Sequence, residues 1–81
     1  MSRPRGVYVR GRSIDGRVYA QVAHTADRPA SHLSAVAWTS HRAYASRMTE
    51  SDAERVIAAR RDRNRLCDAD SIIGRLEMSL D

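Results

Sequence analysis

From Val7 to Val22 apolar and polar residues alternate, with one interruption at Asp15-Gly16. Val7, Val9, Gly11 and Ser13 alternate with Tyr8, Arg10 and Arg12; Val18, Ala20 and Val22 alternate with Arg17, Tyr19 and Gln21. A period of two marks a half-buried strand. An Asp-Gly pair between two such runs is a favoured hairpin turn, because both central residues can take positive φ. A hairpin spanning Gly6 to Thr25 and closed on Asp15-Gly16 sets Ile14 opposite Arg17, Arg12 opposite Tyr19, Arg10 opposite Gln21 and Tyr8 opposite Ala23. Its face of Val7, Val9, Gly11, Ser13, Val18, Ala20, Val22 and His24 is expected to meet a core. Its arginine and tyrosine face is expected to meet water or a partner.

Further along, Ala26 to His32 contains Asp27-Arg28-Pro29 and reads as a loop, since proline removes a ladder donor. Leu33 to Thr39 is a third strand, with Val36 and Trp38 on one face and Ala35 and Ala37 on the other. Ser40 to Met48 is irregular and reads as a crossing segment, with Ala43, Tyr44 and Met48 expected to pack. Thr49 is placed to cap a helix, with Asp52 three residues on and Met48 and Ala53 at the staple positions. Acids crowd the start of that helix and arginines its end, as the helix dipole favours.

Ala53, Val56 and Ile57 form the helix's apolar stripe, which continues into Arg60 and Asn64. Either the second half of the helix leaves the core, or an acidic partner holds Arg60. The cost of burying an unpaired arginine favours the first. After a turn at Leu66 to Asp70, Ile72, Leu76, Met78 and Leu80 alternate with Ile73, Arg75, Glu77 and Ser79. That is strand periodicity, although Ile72, Ile73, Leu76 and Leu80 also fit a helix and Gly74 suits neither. With the strand, the plan is β-β-β-α-β: an α+β fold with a mostly antiparallel sheet and one helix packed on one face.

The length of 81 residues fits a single domain, residues 1–81, with Met1 to Arg5 as a mobile basic tail. There is no Phe, so the core must come from Val, Ile, Leu, Met and Ala. All fourteen basic residues are arginine, and the net charge is +4. Guanidinium groups suit phosphate, carboxylate and aromatic faces. Arginine in place of lysine also follows from GC-rich coding, which the many alanines match; the net charge attracts anions in either case.

Cys67 is alone, which excludes an intramolecular disulfide and fits a cytoplasmic setting. No apolar run follows the basic start or reaches spanning length, so neither a signal peptide nor a membrane partner is expected. No nucleophile elbow is present, and Cys67 lies beside Asp68 and Asp70, which disfavour a thiolate. His24, His32 and His41 lack zinc-ligand spacing, and Ile72 spoils a calcium loop beginning at Asp68. The expectation is a non-enzymatic protein with no metal site and no cofactor.

Binding is the remaining chemistry. Tyr8, Arg10, Arg12, Arg17 and Tyr19 form one candidate partner-binding surface, and Arg60, Arg61, Arg63 and Arg65 a second. Arginines engage phosphates and tyrosines stack on unpaired bases; both are also common at protein hot spots. A sheet-edge strand could pair with its own copy to give a homodimer.

The text Ala37-Trp38-Thr39, Ala43, then Arg47-Met48-Thr49-Glu50-Ser51-Asp52-Ala53-Glu54-Arg55-Val56, with Arg75-Leu76-Glu77-Met78-Ser79-Leu80 at the close, resembles a pattern in small phage and mobile-element proteins. There a tryptophan strand leads to a capped helix and a short final strand. The resemblance spans Ala35 to Leu80; Met48, where an aromatic is more usual, and the arginine-rich helix end depart from it. Proteins of this setting include anti-CRISPR inhibitors. The resemblance implies a cytoplasmic protein of an infected host that docks on and blocks a host effector complex. Many such inhibitors are acidic mimics of DNA. A basic chain implies instead an acidic protein surface or a ribonucleoprotein as partner. The alternative expectation is a small basic nucleic-acid-binding protein using its Arg/Tyr sheet face.

Overall fold

The computed structural model describes residues 6–22 and 36–80. The basic tail, the Ala26 to His32 loop, the start of the third strand at Leu33 to Ala35, the Tyr8–Ala23 pair, His24 and His32 lie outside them. Four strands, β1 (Tyr8–Ser13), β2 (Gly16–Val22), β3 (Val36–Thr39) and β4 (Gly74–Ser79), form one antiparallel sheet in the order β3-β2-β1-β4. One helix, α1 (Glu50–Asn64), lies between β3 and β4 in the chain. The α+β plan read from the sequence is the one observed.

The hairpin closes one step earlier than Asp15-Gly16. Ser13 pairs with Gly16, Arg12 with Arg17, Gly11 with Val18 and Arg10 with Tyr19, leaving Ile14 and Asp15 in the turn. Among the described residues only Arg75, Gly6 and Gly16 have positive φ, so Asp15 does not take the conformation that the Asp-Gly turn requires. Ser13 fixes the turn instead: its Oγ accepts from the Asp15 N–H and donates to the Gly16 carbonyl, both at 3.2 Å. Each partner moves by two residues, an even slip, so every side chain keeps the face that alternation assigned to it.

The apolar face of the sheet and the helix enclose the core: Val7, Val9, Ala20 and Val22 from the hairpin, Ala53, Val56 and Ile57 from α1, with Met48, Ile73 and Leu76. Val9 and Val56 are the largest side chains fully buried there, each worth about 1.5–3 kcal/mol in transfer from water. Thr49 caps α1 as expected, its hydroxyl accepting from the Asp52 N–H at 3.1 Å. Val36 and Trp38 pack against the core from β3. Gly11 is a small residue by need, because a Cβ there would lie 2.5 Å from Ile73 Cγ2 and 3.0 Å from Leu76 Cδ2.

The crossing segment does more than connect. Continuing the hairpin register would set Val7 against Val22, yet each turns to another partner. Val7 exchanges both backbone hydrogen bonds with Met48, each 2.8 Å. The Ser46 N–H donates to Ala20, while its hydroxyl accepts from the Val22 N–H at 2.8 Å and donates to the Val22 carbonyl at 3.2 Å. Residues 46–48 are therefore a wedge between the splayed ends of β1 and β2. Met48 is buried as expected, whereas Ala43 and Tyr44, expected to pack, are exposed around a 3-10 turn at Arg42–Tyr44.

In β4 the simple alternation fails at one point. Arg10 pairs with Glu77 and Arg12 with Gly74, so β4 carries one extra residue opposite β1. Arg75, at φ 49°, lies in that bulge. The extra residue lets both Ile73 and Leu76 face the core although they are three apart. Ile72 and Leu80, which the alternation set in one row with Leu76 and Met78, are exposed. The same three-residue spacing is what made a helix fit this segment.

The end of α1 also departs from expectation. Arg60 neither leaves the core edge nor meets an acid. It is half-buried and donates to three neutral acceptors: Asn64 Oδ1 at 3.2 Å, the Ser71 carbonyl at 2.6 Å and Cys67 Sγ at 3.8 Å. Asn64 in turn exchanges two bonds with the backbone of Ile73, 2.8 and 3.0 Å. Neutral acceptors take three of the guanidinium's five N–H donors while its charge stays near solvent.

Candidate docking surface

The outer face of the sheet carries the alternate residues of the hairpin, away from α1. Across it Tyr19, Arg10 and Glu77 lie in one row and Arg17, Arg12 and Gly74 in the next. The two tyrosines do not project into solvent as their face suggested. Tyr8 is 3% exposed and Tyr19 8%. Their rings pack at 5.9 Å between centroids, tilted by 52°. The guanidinium groups of Arg42 and Arg47 sit over Tyr8 at 5.7 and 5.4 Å from its centroid. Arg47 also donates to the carbonyls of Gly6 and Leu80, at 3.1 and 2.8 Å. A cation over a ring adds about 0.5–2 kcal/mol. Tyr8, covered by the two cations, and Tyr19, buried against it, are thus a structural pair with no free ring face of the kind a base would stack on.

Arg10 is engaged as well. Its Nε donates to Glu77 Oε1 at 2.7 Å, and this bond, against some desolvation, raises the guanidinium pKa above its ordinary value. Arg12 and Arg17 differ. They are cross-strand partners, both are exposed, and neither forms an ion pair among the described residues. Like charges directly opposite one another destabilise a strand pair. Beside them, at the turn, Ile14 is 69% exposed. Branched aliphatic residues are not turn formers; Gly, Pro, Asn, Asp and Ser are.

The second cluster divides in the same way. Arg60 is a fold residue, while Arg61, Arg63 and Arg65 are exposed. Arg65 lies 3.6 Å from Asp62, a solvent-exposed pair that contributes little to stability. Because α1 covers the apolar face, Arg61, Arg63 and Arg65 belong to the opposite layer from Arg12 and Arg17. The two basic clusters do not form one surface.

Arg42 and Arg47 were not among the candidates read from the sequence. Arg47 directly precedes the buried Met48, so alternation places it on the outer face, but the irregular segment around it hid that period. Among the described residues no group of His, Cys, Asp and Glu is arranged to hold a metal, and no helix is long and apolar enough to cross a membrane. Against protein-family models, curated proteins and solved structures, the chain returns no match. Its chemistry has to be read from its own residues.

Proposed function

We propose that the chain is a non-enzymatic binding protein that docks through the tip of its β1–β2 hairpin on an anionic surface of a larger host complex and blocks it, in the manner that the resemblance to anti-CRISPR inhibitors implies. One observation supports this above the others. Arg12 and Arg17 oppose each other without an acidic partner among the described residues, while Arg10, Arg47 and Arg60 are each engaged within the fold. A charge pair that opposes folding gains a favourable role when an anion sits between its members.

The test is affinity capture from host lysate with the natural chain and with Arg12→Glu/Arg17→Glu. The natural chain should retain a stoichiometric complex, and the variant should lose it with an unchanged circular-dichroism spectrum. Equal capture by the two would refute the assignment.

A further inference from the structure

We infer that the anion recognised at the hairpin tip is the phosphate backbone of duplex DNA, with Arg12 and Arg17 on phosphates flanking the minor groove and Ile14 as an apolar wedge at a base step. This inference rests on the docking reading above and identifies the anionic surface of the host complex as duplex DNA that the complex carries. Three features of the tip converge on it.

The first is charge. The chain carries +4, and Arg12 and Arg17, neither in an ion pair among the described residues although Asp15 lies in the turn between them, stand on directly opposed strand positions. Opposed Cα atoms lie about 4.5–5.5 Å apart, close to the minor-groove width of about 6 Å. Two long side chains diverging from such a pair can reach the two phosphate rows that border the groove.

The second is Ile14. An exposed isoleucine in a turn gains nothing from the fold, and the Ser13 hydroxyl holds that turn in place from both sides. Apolar wedges flanked by arginine are how minor-groove proteins unstack a step and bend the duplex. The third is the burial of Tyr8 and Tyr19. Single strands are held by stacking on aromatic faces, and this sheet offers none at those positions. The tip instead has the parts that suit a paired, grooved polyanion. An RNA duplex fits it poorly, because the A-form minor groove is wide and shallow.

The helix end is the internal control. Leu66 is 87% exposed beside Arg63 and Arg65, but Asp62 offsets Arg65 there. The clusters lie on opposite layers, so equal charge can be removed from either.

The experiment is fluorescence anisotropy of a labelled A/T-rich DNA duplex, titrated at several salt concentrations between about 50 and about 200 mM. Arg12→Gln/Arg17→Gln should weaken binding at least about tenfold and lower the slope of log K against log salt by about two, one for each phosphate that is no longer neutralised. Ile14→Ser should keep the slope, weaken binding and reduce the bend seen by energy transfer between the duplex ends. Arg61→Gln/Arg63→Gln should change affinity by less than about threefold, because those arginines stand on the opposite layer of the molecule from the tip's phosphate contacts. Melting curves establish that each variant is folded. The inference is overturned if the natural chain does not bind the DNA duplex, if it prefers an RNA duplex, or if the helix variant loses as much as the tip variant. Capture from lysate that still depends on Arg12 and Arg17 in the absence of duplex binding would leave the docking reading standing and remove this one.

Discussion

The two ends of one hairpin have opposite characters. At the open end, Val7 and Val22 are each bonded to the wedge of residues 46–48, and Arg47 ties Gly6, Leu80 and the Tyr8 ring together. At the closed end, two like charges face each other and an isoleucine stands in solvent. The same strands and the same residue types serve both ends. What differs is whether another part of the chain returns to complete them. Where it returns, arginine and tyrosine are structural; where it does not, arginine and isoleucine remain available to a partner.

Substitution at each end should expose that difference, and the largest effect belongs to the open end. Gly6 has φ 94°, and a Cβ there would lie 2.4 Å from the Met48 carbonyl oxygen. Gly6→Ala should therefore cost about 2–4 kcal/mol, combining backbone strain with a clash against main chain that cannot rotate away. Urea denaturation should show it as a lower midpoint at constant slope. A midpoint within error of the natural chain would remove the wedge from its place at the centre of the open end.

Next comes Ser46→Ala. It strips the Val22 N–H and carbonyl of their hydroxyl partner in a half-buried setting, at about 1–3 kcal/mol. Ser46→Thr, which keeps the hydroxyl, should recover part of that loss. Asn64→Leu removes the analogous side-chain partner of Ile73 and one acceptor of Arg60, and about 1–3 kcal/mol is again expected. Hydrogen exchange at Ile73 should report it, with the amide opening faster while β2 amides hold their rates.

The smallest effect, and of opposite sign, belongs to the tip. Arg12→Gln/Arg17→Gln should leave the melting temperature unchanged or raise it, because relieving a like-charge cross-strand pair is worth about 0.2–1 kcal/mol. A clear drop would mean that these arginines hold the fold after all, and the contrast between the two ends would fail.

Much of the fold was legible in the chain because parity is robust. The hairpin's face sorting survived a turn placed at Ile14-Asp15 instead of Asp15-Gly16, since the slip was even. The Thr49 cap and the Ala53, Val56, Ile57 stripe follow from local chemistry and were equally visible. What was hidden came from distant parts of the chain or from rare backbone. The burial of Tyr8 depends on Arg42 and Arg47, which approach from the crossing segment. The exchange of Ile72 for Ile73 in the core depends on a bulge with Arg75 in a conformation that non-glycine residues seldom adopt. The candidate surface narrowed for the same reason. Five residues on the hairpin face shrank to Arg12 and Arg17, with Ile14 added, once their neighbours were in place.

A single titration tests the contrast between the two ends most directly: amide NMR spectra of the nitrogen-15-labelled chain with increasing A/T-rich DNA duplex. Shifts concentrated at Arg12 to Arg17, with Arg61 to Arg65 and the wedge at Ser46 to Met48 unmoved, are the predicted result. Shifts centred on the C-terminal turn of α1, or spread evenly over both layers, would contradict it.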